Sequence, residues 1–118
     1  MSNQTLGAAG EAAVFHYIQS RGYTVLDRNW RIKSGELDLV AISPEKKITF
    51  IEVKSRSSRK FGDPLEAISS EKAHRLQKLA LAWLVLHGLW GSDYHIDCAG
   101  VIFSGDGRYE IDYRKGVL

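Results

Sequence analysis

Two carboxylates and a lysine stand near the middle of this sequence at a spacing that could do chemistry. Asp38 precedes Glu52 by fourteen residues, and Lys54 follows Glu52 by two. Paired carboxylates supply the hard oxygen ligands that Mg²⁺ prefers, and Mn²⁺ is an alternative ion. A neighbouring lysine can orient an attacking water or offset negative charge in a transition state. The set is therefore suited to metal-assisted hydrolysis of a phosphodiester.

Side-chain alternation along two predicted strands decides whether these groups meet. Hydrophobic patterning predicts strands over 36–42 and 47–55. Since successive side chains on a strand point to opposite faces, Glu52 and Lys54 share one face of the later strand. Asp38 lies on one face of the earlier strand. The opposite face of that strand is predicted to carry Leu37, Leu39 and Ala41.

The loop between the two strands sets their register. A five-residue loop over 43–47 places Asp38 directly opposite Glu52, with Cβ atoms about 4.5–5.5 Å apart. A four-residue loop would pair Asp38 with Ile51 and turn its carboxylate away from Glu52. We adopt the first register, in which both carboxylates can reach one metal ion.

A further carboxylate lies on the first predicted helix, which spans about 4–21. The apolar stripe of this helix is formed by Val14, Phe15 and Ile18. Glu11 precedes them by three, four and seven residues and so lies on the same face. An inward carboxylate needs a cation. Glu11 is therefore a fourth candidate residue, because the hairpin site could provide that cation.

The remaining pattern predicts the elements that must position these groups. We expect strands over 23–32, 94–103 and 109–113, a loop over 55–65 and a long helix over 70–87. Both faces of the strands over 36–42 and 47–55 are apolar, so the sheet needs cover on both sides. The predicted fold class is α/β, with a central mixed five-stranded sheet flanked by helices. We expect one domain over residues 1–118.

Composition excludes several classes of protein. The longest apolar stretches are too short to span a membrane, and the first residues lack the pattern of a signal peptide. The single cysteine, Cys98, allows no internal disulfide, and the four histidines are scattered without zinc-site spacing. We therefore expect a cytoplasmic protein, with Cys98 and Trp83 as core residues. The net charge of +2 is too small by itself to indicate a nucleic-acid partner.

Local clusters of basic residues are more informative than the net charge. Arg56, Arg59 and Lys60 follow the candidate site and could clamp nucleic-acid phosphates, although a solvated loop explains them equally well. Lys72 begins a second group on the long helix, with Arg75 and Lys78. A solvated helix face is the simpler explanation of that group, and Lys72 is its best candidate for phosphate binding.

Three segments of the chain resemble the YraN family of bacterial proteins. They are Gly10-Glu11, the run Gly-Glu-Leu-Asp-Leu-Val-Ala over 35–41, and the run Phe-Ile-Glu-Val-Lys-Ser-Arg over 50–56. That family is similar to archaeal Holliday-junction resolvases and other PD-(D/E)xK nucleases. The resemblance implies a restriction-endonuclease-like core of order α-β-β-β-α-β-β. Leu37 stands where the superfamily name has proline, a position that varies widely.

The resemblance also implies roles for individual residues. Asp38 and Glu52 would be metal ligands together with the backbone carbonyl of Val53. Lys54 would be the site lysine, as a general base or as an electrostatic stabiliser, and Glu11 the helix acid near the metal. The implied activity is Mg²⁺-dependent endonuclease cleavage of nucleic acid, with structured or branched DNA favoured, by a monomer or homodimer.

Three other interpretations of the sequence stay open. The charged groups on the hairpin could form a structural ion pair, which is common at protein surfaces. The chain could retain the fold as a nucleic-acid-binding module that does not cleave. It could also be a protein-interaction domain, because fold alone does not establish function.

Overall fold

The structure is a computed structural model and describes residues 2–57 and 68–118. The described residues form two helices and five strands in the predicted order. Their bounds are α1 Asn3–Ser20, β1 Thr24–Ile32, β2 Gly35–Ile42, β3 Ile48–Arg56, α2 Ser70–Leu86, β4 Tyr94–Phe103 and β5 Tyr109–Arg114. The predicted α/β fold class is confirmed. The predicted loop over 55–65 begins too early, because Ser55 and Arg56 pair with Val101 and Ile102 as part of β3.

The five strands form one mixed sheet in the order β1-β2-β3-β4-β5. Neighbouring strands are antiparallel except β3 and β4, which run parallel. A parallel pair needs a long crossover connection, and α2 lies within it. The mixed sheet therefore follows from the position of α2 between β3 and β4 in the sequence.

Each helix covers one face of the sheet with its apolar stripe. The α1 side of the core includes Val14, Ile18, Leu39, Ile51 and Ala99. The α2 side includes Val40, Phe50, Leu79, Trp83 and Ile96. Because side chains of β2 and β3 point to both faces of the sheet, the two strands contribute to the core on each side, as their apolar faces predicted. No helix of the described residues is long and apolar enough to cross a membrane.

Local contacts fix the start of α2 and its position on the sheet. The Ser69 hydroxyl accepts a hydrogen bond from the Lys72 backbone N–H at 3.1 Å, which caps the helix start. Trp83 is 2% exposed, and its indole N–H donates to the Asp27 carboxylate on β1 at 3.1 Å. Trp83 and Cys98 are both buried, as predicted. These contacts fix the helix start, and hence Lys72, relative to the sheet.

The side-chain alternation along β2 breaks next to Asp38, where the candidate site lies. Leu37 packs on the α2 side of the sheet, whereas Leu39 packs on the α1 side. The prediction that they share a face with Ala41 is therefore wrong for Leu37. The register of β1 against β2 shifts between Val25 and Asp27, and the same register continues on both sides of Asn29, which has a φ of +49°. A non-glycine residue with a left-handed backbone is uncommon, and Asn29 adopts it beside this break in the pattern.

Candidate active site

Strands β2 and β3 separate at the candidate site. Val40 pairs with Phe50 and Ile42 with Ile48, which confirms the register that the five-residue loop predicted. The backbone pairing reaches Leu39 and then stops. Beyond that point the Asp38 carboxylate accepts a hydrogen bond from the Val53 N–H at 2.8 Å. The Asp38 carboxylate therefore replaces a backbone carbonyl as the acceptor and links β2 to β3 where their backbone pairing has ended.

An open cavity of about 330 Å³ lies where the strands separate. It is lined by Glu11, Gly35, Glu36, Asp38, Glu52, Lys72, Arg75, Leu76 and Leu79. The acidic residues come from α1, β2 and β3, and the two basic residues come from α2. The structure thus brings together three of the four predicted catalytic residues in one cavity. Lys54, the fourth, contacts it through an ion pair with Glu52.

Glu36 is a further member of the acidic group that the sequence analysis had set aside. Carboxylate oxygens of Glu11, Glu36 and Asp38 lie within 4.8 Å of one another. The Asn29 side chain donates to Glu11 at 2.7 Å and to Glu36 at 3.0 Å. The Asn29 side chain is thus a hydrogen-bond partner of both Glu11 and Glu36. The available signal was the position of Glu36 two residues before Asp38 on one strand.

Burial and neighbouring carboxylates determine the electrostatics of Asp38. Burial, the neighbouring Glu52 carboxylate and then Glu11 raise the pKa of Asp38 from 3.8 to about 8, against the opposing effect of the Val53 N–H. A cation among these oxygens would relieve the repulsion between the carboxylates. The donor set consists of hard oxygen atoms, so the residues fit Mg²⁺ or Mn²⁺.

Lys54 lies next to the most buried carboxylate of the group. Its ammonium is 3.2 Å from Glu52 Oε1, and the two side chains are only 19% and 9% exposed. Burial acts to lower the pKa of Lys54, but the contact with Glu52 and its negative charge raise it above its ordinary value. These groups favour Lys54 as a cation that offsets charge over Lys54 as a general base.

The predicted nucleic-acid-binding residues fall in different places. Lys72 lines the cavity, whereas Arg56 ends β3 and donates from its guanidinium to the Ser55 carbonyl at 3.3 Å. Arg59 and Lys60 lie outside the described residues. Arg75, which the sequence analysis interpreted as part of a solvated helix face, also lines the cavity. One helical turn separates it from Lys72.

Close packing of α1 on β3 fixes the position of Glu11. A methyl group added at Gly10 would lie 1.8 Å from the Ser55 hydroxyl oxygen and 3.0 Å from the Ser55 Cβ. We therefore expect Gly10→Ala to destabilise the fold by about 1–3 kcal/mol through overpacking. The same change would push α1, and with it Glu11, away from the cavity. Urea denaturation of the variant measures the loss.

Gly7→Ala is the matched control on the same helix. No atom lies within 4 Å of a Cβ placed at Gly7, so this variant should be neutral or more stable by about 0.5–1 kcal/mol. A second substitution, Ser55→Gly, should restore stability to Gly10→Ala by removing the obstructing side chain. Equal stability of Gly10→Ala and Gly7→Ala would contradict the packing argument.

Comparison with known proteins places these residues in one family. The sequence profile of uncharacterised protein family UPF0102 matches residues 10–111. A UPF0102 protein of Leifsonia xyli subsp. xyli is 37% identical over 113 residues, which cover 96% of this chain and 95% of the relative. A UPF0102 protein of Beutenbergia cavernae is 38% identical over 116 residues, or 98% of each chain. The matched range includes all of the acidic residues of the cavity.

Proposed function

This chain belongs to uncharacterised protein family UPF0102, the YraN family, and from that premise we propose that it is a Mg²⁺-dependent nuclease. The supporting observation is the mutual approach of carboxylates around Asp38, whose pKa is raised to about 8 by burial and by Glu52. Repelling carboxylates in a cavity are stabilised when a divalent cation joins them. The same cavity carries basic residues on its α2 wall, which suits a phosphate substrate.

Some of these residues would hold the metal ion, and others would stabilise charge or orient the ligands. Asp38 and Glu52 would hold the ion, with Glu11, Glu36 and the backbone carbonyl of Val53 as further oxygen donors. Mg²⁺ bound there would supply Lewis-acid polarisation of the phosphoryl group and a water of lowered pKa. Lys54, held at Glu52, would offset charge that develops on the phosphoryl oxygens. Asn29 would keep Glu11 and Glu36 oriented toward the cavity.

Nucleic acid is the proposed substrate because a phosphodiester could contact both a metal ion at the carboxylates and the basic side chains of α2. Basic side chains would contact phosphates of the nucleic acid and position it independently of its base sequence. These residues are Lys72, Arg56, Arg59 and Lys60. The choice of structured or branched DNA rests on the resemblance to junction resolvases. A junction substrate is also compatible with either a monomer or a homodimer.

A metal titration followed by backbone NMR tests the proposal before any substrate is known. We expect Mg²⁺ or Mn²⁺ at millimolar concentration to shift the amide signals of Asp38 and Val53, whose groups are hydrogen-bonded to each other. Resonances around Glu45, in the loop at the other end of the hairpin, should stay unchanged and serve as the internal control. Absence of a saturable change at Asp38 and Val53, with or without DNA, would count against a metal site.

A gel assay on branched, flapped and single-stranded DNA separates this proposal from its rivals. Metal-dependent cleavage that disappears in Asp38→Ala supports the nuclease. Salt-dependent binding without cleavage would favour a silent nucleic-acid-binding module of the same fold. A complete lack of salt-dependent binding to DNA and RNA would favour a protein-interaction domain.

A further inference from the structure

A cavity separate from the candidate active site lies at the other end of the β2–β3 hairpin, on the α1 side of the sheet. Its volume is about 380 Å³, within the range of about 300–1,000 Å³ that is usual for small-molecule sites. Four parts of the chain meet there: the residue that opens β1, the hairpin loop, β4 and the C-terminal segment. They contribute Tyr23, Ser43, Asp97 and Gly116 to the lining. Among the described residues, the two cavities share no lining residue.

Asp97 lines this cavity although it is only 2% exposed. Its carboxylate accepts hydrogen bonds from the Tyr113 hydroxyl at 2.5 Å and from the Gly116 N–H at 2.8 Å. Neither donor carries a positive charge. Within residues 2–57 and 68–118, no ion pair includes Asp97. A buried carboxylate is costly without a cationic partner, so a cation held in the cavity would stabilise it.

The other charged side chains of the cavity do not have this need. The Lys47 ammonium is 3.0 Å from the Asp93 carboxylate, which neutralises it. The side chains of Glu45, His95 and Lys115 are exposed, so water and salt screen their charges. The buried carboxylate is therefore the feature that selects the ligand.

We propose that this cavity binds a small organic amine, with the protonated ammonium group of the amine on the Asp97 carboxylate. A carboxylate has about four acceptor positions, and the contacts with Tyr113 and Gly116 use two of them. An ammonium group supplies N–H donors for the remaining positions together with the missing positive charge. Tyr23 adds an aromatic ring, whose face attracts cations. The inference does not depend on the proposed nuclease, because it uses none of the residues around Asp38.

An organic cation suits this cavity better than a metal ion does. Divalent metal ions take several oxygen ligands, usually with more than one carboxylate. Among the described residues, the three carboxylates close enough to share an ion are those of Glu11, Glu36 and Asp38, and Asp97 lies in the other cavity. A volume of about 380 Å³ also leaves room for carbon atoms beyond the charged group. We therefore expect a ligand with a short alkyl chain behind the ammonium.

The first test compares butylammonium chloride with 1-butanol, a neutral molecule of the same chain length, by backbone NMR on the wild-type protein at constant ionic strength. Butylammonium should cause saturable shifts of the Thr49, Asp97 and Gly116 amides, and 1-butanol should bind at least about tenfold more weakly. Equal binding of the two molecules would overturn the inference, as would the absence of saturable shifts. Shifts confined to Asp38 and Val53 would also overturn it, because the amine would then bind the acidic cavity instead.

The second test repeats the butylammonium titration on two variants. Asp97→Asn removes the negative charge and should weaken binding at least about tenfold. Tyr113→Phe is the matched control, because it removes a hydrogen bond to the same carboxylate and keeps the charge. It should bind butylammonium as wild type does. Equal loss of binding in both variants would show that Asp97 has only a structural role. The comparison of ligands on wild type decides the question even if Asp97→Asn does not fold.

Discussion

Glu52→Gln should reduce Mg²⁺-dependent cleavage of DNA by about 10²–10³-fold while leaving the fold intact. Glu52 is buried beside Asp38 and holds the Lys54 ammonium at 3.2 Å. Glutamine has nearly the same shape and keeps a carbonyl oxygen that can accept from Lys54. It removes the negative charge that would bind the metal ion and keep Lys54 protonated. The loss should therefore appear in metal affinity and in the rate, and not in folding.

The measurement is single-turnover cleavage of a branched DNA across a Mg²⁺ titration, alongside thermal melting. Glu45→Gln is the matched control, because Glu45 is exposed in the loop at the far end of the same hairpin. It should cleave like wild type. Wild-type rates in Glu52→Gln at saturating Mg²⁺ would show that the Glu52 carboxylate has no role in the reaction.

Much of the fold follows from periodic signals in the sequence. The helical stripes of α1 and α2 and the alternation along the strands predict the order of the elements within a few residues of the observed bounds. Gly22 and Gly88 end the two helices with φ of +88° and +68°, as residues without a Cβ can. The register between β2 and β3 could also be predicted from the sequence, because loop length and strand alternation together allow few pairings.

The break at Asn29 and Asp38 could not be predicted from alternation. A non-glycine residue with positive φ leaves no mark in a hydrophobic pattern, and asparagine is common in ordinary turns as well. At this break Leu37 packs on the α2 side of the sheet and Leu39 packs on the α1 side. Carboxylates from α1, β2 and β3 and basic residues from α2 line the cavity beside this break.

The charged neighbours of the site depend on packing between distant elements. The Asn29 side chain links Glu11 to Glu36, Arg31 also binds Glu36, and Lys72 on α2 lines the same cavity as Glu52 on β3. Sequence spacing fixes positions along one strand or one helix. It does not fix how far apart two elements lie, so contacts of this kind require coordinates.

Asp38→Asn should stabilise the metal-free protein at pH 8, by on the order of 5 kcal/mol relative to wild type. Burial and the Glu52 carboxylate raise the pKa of Asp38 in the folded protein from 3.8 to about 8. The folded state therefore holds a proton that the unfolded chain releases between these pH values. The contribution of Asp38 to stability is fully present below about pH 4 and is lost as pH rises to 8. Asparagine cannot ionise, and its carbonyl can still accept from Val53.

Urea denaturation from pH 4 to 9 in the presence of EDTA measures this difference. The stability of wild type should fall with pH relative to Asp38→Asn, and the two curves should approach each other at low pH. Asp93→Asn, whose side chain is 83% exposed, should follow wild type. Mg²⁺ should raise the stability of wild type at pH 8 by more than that of Asp38→Asn, because the variant lacks one of the carboxylates that would hold the ion. Parallel pH curves for wild type and Asp38→Asn would mean that Asp38 is already ionised without metal. The repulsion between carboxylates that a metal ion is proposed to relieve would then be absent.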